Sequence, residues 1–213
     1  MKTTIFSRYS FICKTLFFTS VLKLASFLKV SFVIGSYISF FSFMPMIAPL
    51  AGAFNGIASA MLVVGLSFAL KIMMGSPISW AFLALAGIPS LMASLVWTRH
   101  GRVVAFAVPA ICLGLYLSCP QTAISYASLW LIPMALSLKS HNNIFLTSLT
   151  STFVAHAVGA VIWAYSVPMT HAAWVALTPL ALVERIIFAA GMSLIYCAIK
   201  ATIAVVNAKR SIA

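Results

Sequence analysis

Acid is almost missing from this chain: Glu184 is the single carboxylate among 213 residues, against 13 lysines and arginines. A hydrolase of the carboxylate-pair type needs two acids, so that chemistry is excluded. Charge of either sign is sparse, at 7% of residues, while 63% are hydrophobic and the mean hydropathy is +1.14. No soluble globular surface is built from such a composition. The chain therefore reads as an integral membrane protein.

Other absences narrow the function. The four cysteines, Cys13, Cys112, Cys119 and Cys197, form no C-x-x-C and read as small buried hydrophobes. His100, His141, His156 and His171 fall on separate elements or depths, so no ligand-spaced metal cluster is expected. No glycine-rich loop with its lysine is present to cradle a phosphate chain, which excludes ATP hydrolysis by this chain itself. Neither a cofactor nor an enzymatic activity is expected. Strand-type alternation is also missing, which argues against a barrel. The net charge of +12 is spread between or outside the apolar runs, so no basic groove for nucleic acid is expected.

What is present is a series of apolar runs at 24–46, 47–70, 78–98, 103–119, 121–138, 144–168 and 172–200, joined by short connections. Runs of about 20 residues cross a hydrocarbon core of roughly 30 Å as helices. The fold class is thus an all-α, polytopic transmembrane bundle. If every run crosses, Arg99, Arg102 and Lys139 fall opposite the basic N-terminus, against the excess of positive charge expected in the cytoplasm. The run 24–46 is the weakest, with Lys23 and Lys29 at its start, and is expected to lie at the interface or re-enter.

Six crossings follow, with residues 1–46 as a basic N-terminal region and 47–213 as the bundle. Both termini then face the cytoplasm of an inner membrane. This places 11 of the 13 basic residues on that side, leaving Lys71 outside and Arg185 within. A seven-span form that breaks the charge rule, and an eight-span form in which 4–22 also crosses, stay open. The N-terminus, with lysines too early for a cleavage site, is expected to be retained.

Polar residues inside these runs are the candidates for function. Glu184 and Arg185 sit in the middle of the last run, where a charge costs roughly 2.5–3.5 kcal/mol to insert and therefore faces protein, solute or water. Thr152, His156, Gly159 and Trp163 recur along one helical face of the preceding run. A short connection containing Pro168 makes the two helices antiparallel neighbours, so a hydrogen bond or ion pair between His156 and Glu184 is expected. Arg185, about 100° around the helix from Glu184, then needs another partner: an anionic ligand, a carbonyl freed by Pro179, or Glu184 through a distorted turn. A purely structural polar network is the competing meaning.

Ala48, Gly52, Gly56 and Ala60 make a smooth face for close helix packing or a cavity edge, with Asn55 on the adjacent stripe. Pro89, Pro109, Pro133 and Pro179 are expected to kink four spans, either as ordinary bends or to open a binding cavity. Trp163, Tyr165, His171 and Trp174 gather at the non-cytoplasmic connection as an interfacial belt or a lid.

The length, the six expected spans and the stretch Pro45-Met-Ile-Ala-Pro-Leu-Ala-Gly-Ala-Phe-Asn-Gly56 resemble the small substrate-capturing subunits of energy-coupling-factor vitamin transporters. The resemblance implies capture of a vitamin-like or anionic metabolite from outside, in partnership with a shared transmembrane subunit and two ATPases. It identifies no vitamin. The basic N-terminal extension and the near-absence of acids depart from that pattern. Together these readings make Asn55, Thr152, His156, Trp163, Glu184 and Arg185 the candidate residues for a small-molecule solute.

Overall fold

Apolar runs fold as helices because a backbone removed from water must satisfy its own N–H and C=O groups, and a helix does so within one segment. The computed structural model describes residues 2–27, 29–32, 39–42, 44–73, 80–139 and 142–212. In chain order these form α1 (Lys2–Phe27), β1 (Lys29–Phe32), β2 (Ser39–Ser42), α2 (Met44–Ile47), α3 (Leu50–Met73), α4 (Trp80–Leu95) and α5 (Gly101–Leu117). There follow α6 (Ile124–Ala127), a 3-10 turn (Ser128–Trp130), α7 (Leu131–Ser137), α8 (Ile144–Ser166) and α9 (His171–Ile212). Leu50–Leu70, Ile144–Ser166 and His171–Val205 are long and apolar enough to cross a membrane, and Gly101–Leu117 and Ile124–Ser137 are shorter apolar stretches. The protein is a helical membrane protein.

The run 24–46 is not one element. Helix α1 ends at Phe27, and an antiparallel hairpin of β1 and β2 pairs Lys29 with Ser42 and Phe32 with Ser39 before α2 begins. Val30, Phe32, Phe40 and Phe41 supply the β-branched and aromatic residues that favour strands. Residues 28, 33–38 and 43 of that run lie outside the described residues, as does His141 in the connection expected on the cytoplasmic side. Helix α1 packs along α3 in the same direction. Its Thr15 hydroxyl meets that of Ser59 at 3.0 Å, the Phe11 carbonyl accepts from Asn55 at 3.4 Å, and Leu22, Lys23 and Ser26 lie near Val64, Ser67 and Phe68.

From α3 onward successive apolar runs alternate in direction. Gly52 at the start of α3 lies against Ser94 at the end of α4, where a Cβ would stand 2.7 Å from the Ser94 Cβ and 2.8 Å from its carbonyl oxygen. That is the close approach expected of the small-residue face. Gly56, one turn on, interrupts α3 instead, with φ 79 and ψ 175, and nothing stands within 4 Å of where its Cβ would be. Ser151 of α8 donates to the Ala93 carbonyl of α4 at 2.9 Å, and Ser193 of α9 donates to Ser148 of α8 at 3.0 Å.

The run 121–138 is broken into α6, the 3-10 turn and α7 because Pro133 has no N–H for the Leu129 carbonyl and its ring crowds it. Helix α8 starts where the Asn143 side chain accepts from the Leu146 N–H at 3.2 Å. It stops where Pro168 holds Val167 extended, at φ −131 and ψ 122.

Two ends of the bundle result. At one, Arg99, Arg102 and Lys139 face a common cleft with Thr147 of α8, and Lys200 lies 5.7 Å from the Tyr196 ring, itself stacked on Trp97. At the other, Ser118 meets Tyr165, Cys119 donates to the Ala164 carbonyl, and His171 meets the Thr122 carbonyl. One buried cluster joins α5 to α8 with the first turns of α9; a second joins α1 to α3 with the middle of α9.

Candidate functional site

Ser148, Thr152 and His156 follow each other at four-residue spacing and so share the face of α8 that meets α9. The Thr152 hydroxyl donates to the Leu149 carbonyl at 2.9 Å and also reaches the Arg185 carbonyl at 3.4 Å. Arg185 is 3% exposed, and its guanidinium carbon lies 4.6 Å from the centroid of the Phe188 ring, a cation over an aromatic face one turn along the same helix.

The expected bond between His156 and Glu184 gives way to another pairing. Nη2 of Arg185 stands 3.4 Å from Oε2 of Glu184, with the two side chains 4% and 12% exposed. Neighbouring helix residues point about 100° apart, but both side chains are long enough for their tips to meet. His156 instead packs its ring on Tyr126 at 5.1 Å between centroids, and its Nε2 is buried with no hydrogen-bond partner among the described residues.

Tyr126 joins this histidine to a compact set of rings. Tyr116 of α5 meets Trp130 edge-on at 4.9 Å and Trp174 edge-on at 5.2 Å, and Tyr126 meets Trp174 at 4.8 Å. Such ring pairs add roughly 0.5–1.5 kcal/mol each beyond the area they bury. Trp130 is fully buried, and its Nε1 has no partner among the described residues. Trp174, expected with the surface aromatics, belongs inside: it is buried, whereas Tyr165 and His171 are exposed. The box forms near the end of the bundle opposite the basic residues, with Arg185 deeper.

Two sequence candidates lie elsewhere. Trp163 donates to the Met169 sulfur at 2.9 Å near the end of α8, and Asn55 donates to the Phe11 carbonyl and to Ser59 in the seam between α1 and α3. The structure thus groups Thr152, His156, Glu184 and Arg185 and adds Tyr116, Tyr126, Trp130 and Trp174. Tyr126 and Trp130 were detectable in principle, as aromatics four apart ahead of an internal proline. What hid them was the break in the pass, which turns both rings into the core.

Among the described residues no group of three His, Cys, Asp or Glu is placed to hold a metal ion. A guanidinium, an imidazole and an indole N–H beside flat aromatic faces suit recognition of a planar or anionic small molecule: the rings stack, and the polar groups fix its orientation. Comparison of the chain with known protein families, with curated proteins and with solved structures found no match.

Proposed function

We propose that this protein captures a small solute, vitamin-like or anionic, at the aromatic box and the Arg185–Glu184 pair, and that it acts by binding rather than by bond chemistry. The carrying observation is that three polar atoms of the ring set, His156 Nε2, Trp130 Nε1 and the Tyr116 hydroxyl, are buried without hydrogen-bond partners among the described residues. Buried polar groups are nearly always satisfied, so these orphans fit a site completed by a ligand or water. In this proposal the chain crosses an inner, cytoplasmic membrane six times, with both termini and the basic end in the cytoplasm. The box then lies toward the outside, the side from which a substrate-capturing subunit loads. The resemblance to energy-coupling-factor substrate subunits adds a shared transmembrane subunit and ATPases as partners, which supply the energy this chain lacks.

Thermal unfolding of the purified protein against a panel of vitamins and carboxylate or phosphate metabolites tests the proposal, because a ligand of the folded state raises the midpoint with concentration. Arg185→Lys is expected to fold normally and to lose that shift, since a point charge does not reproduce the planar fork. Full retention of the shift in this variant sinks the site.

A structural reading is favoured by one observation: Glu184 and Phe188 already engage the Arg185 guanidinium within the chain. On that reading no ligand shifts the midpoint and Arg185→Lys fails to accumulate. Sidedness is tested separately with Lys139→Cys in a background lacking the four native cysteines. An impermeant thiol reagent added outside intact cells should leave it unlabelled; labelling overturns the orientation.

A further inference from the structure

Three cations from two connections converge on one concavity at the basic end. Arg99 and Arg102 come from the α4–α5 junction and Lys139 from just beyond α7, and they line an open cleft of about 380 Å³ bordered by Thr147 and Thr150 of α8. That volume falls within the roughly 300–1,000 Å³ of small-molecule sites. The sole Asp or Glu side chain, Glu184, is engaged with Arg185, so no carboxylate side chain remains to neutralise these three charges.

The hydroxyls of the cleft do not supply donors. Thr98, Ser137, Thr147 and Thr150 give theirs to the carbonyls of Leu95, Met134, Asn143 and Leu146. Recognition is left to charge and to the guanidinium forks, and Arg99 is steadied by its Nε–H bond to His100 Nε2 at 2.8 Å. The first turns of α5 and α8 both border the cleft and add the partial positive charge of two helix starts. Concentrated positive charge with forked donors suits an oxyanion, and three cations together match the higher charge of a phosphate group.

We propose that this cleft binds a phosphate group, carried either by an anionic phospholipid headgroup at the membrane surface or by a soluble phosphorylated compound. The site is independent of the aromatic box, from which it differs in chemistry and in its end of the bundle. A basic pocket between helices at a membrane surface is the setting in which lipid phosphates are held.

The test uses the full chain purified in neutral detergent. One arm adds cardiolipin or phosphatidylglycerol, with phosphatidylcholine as control; the other adds inorganic phosphate or pyrophosphate. Binding is read by native mass spectrometry and by the unfolding midpoint. Retention of the anionic lipid alone assigns the phosphate to lipid, and a midpoint shift by the soluble anions assigns it to a solute. Each charge removed by Arg99→Gln, Arg102→Gln or Lys139→Gln should weaken binding roughly five-fold, and the triple variant about a hundred-fold. Lys200→Gln, at the same end outside the cleft, should leave it unchanged. If the triple variant fails to fold, competition between pyrophosphate and cardiolipin on the unaltered protein replaces it, with mutual displacement expected. The proposal is overturned if neither class binds, if binding survives the triple variant, if Lys200→Gln weakens it equally, or if the two ligands bind without competing.

Discussion

The seam between α1 and α3 and the interior around His156 handle buried polar groups in opposite ways. In the seam, Thr15 and Ser59 meet at 3.0 Å, Asn55 donates to Ser59 and to the Phe11 carbonyl, and Thr19 returns its hydroxyl to the Thr15 carbonyl. Around His156, Nε2 of the imidazole and Nε1 of Trp130 are buried without such partners among the described residues. Trp97 Nε1 is the corresponding orphan on the α1–α3 side, at the rim of a ring stack with Tyr196. Within a membrane an unmade hydrogen bond costs more than in water-facing structure, so a closed network reads as a fastening and an open one as the proposed solute site.

The largest effect tests the charged centre of the open region. Arg185→Met leaves Glu184 with no partner in low dielectric, and breaking a buried pair in this way costs about 3–5 kcal/mol. Unfolding of the variant in detergent should register that loss. Adding Glu184→Gln should restore a large part of it, because neither partner is then left charged and orphaned. Strict additivity would separate the two side chains despite their 3.4 Å contact.

A smaller effect tests packing beside the closed seam. Gly52→Ala drives a Cβ into Ser94, with the nearest atoms at 2.7 and 2.8 Å belonging to the Ser94 Cβ and its carbonyl. Backbone cannot move aside as a side-chain tip does, so a loss of about 1–3 kcal/mol is expected. Gly56→Ala meets no atom within 4 Å and is strained only by its positive φ. A Gly52→Ala protein as stable as the parent would remove the close approach of α3 and α4.

Helix positions were legible in the sequence because burial in lipid demands long apolar runs, and the runs from 47 onward each fold as helix, three of them long and apolar enough to cross a membrane. The neighbourhood of Thr152, His156, Glu184 and Arg185 was legible too, since helical spacing and a short turn fix depth. Pairing was not. Spacing along one helix assigns Glu184 and Arg185 to different directions, and only side-chain length lets their tips meet. The box was hidden for a different reason: Tyr116, Tyr126 and Trp130 belong to other helices, and their meeting with one another, and through Tyr126 with His156, depends on tertiary packing and on the break before Pro133. The secondary structure within 24–46 was not legible for another reason, because an apolar run carrying strand-favouring residues does not declare itself as helix or hairpin.

The finest discrimination between the two regions comes from removing one polar group in each. Ser59→Ala removes the hydroxyl shared by Thr15 and Asn55, each of which keeps the Phe11 carbonyl, and should cost about 1 kcal/mol, with Thr15→Val in the same chain adding less than it does alone. His156→Phe removes a nitrogen that bonds nothing among the described residues while keeping a ring against Tyr126. Its unfolding midpoint should therefore match or exceed the parent's, and only ligand-induced stabilisation should fall. Two midpoints measured side by side decide the matter: an equal loss at both positions would mean that His156 is fastened within the chain as Ser59 is, and the distinction between a closed seam and an open receptor would disappear.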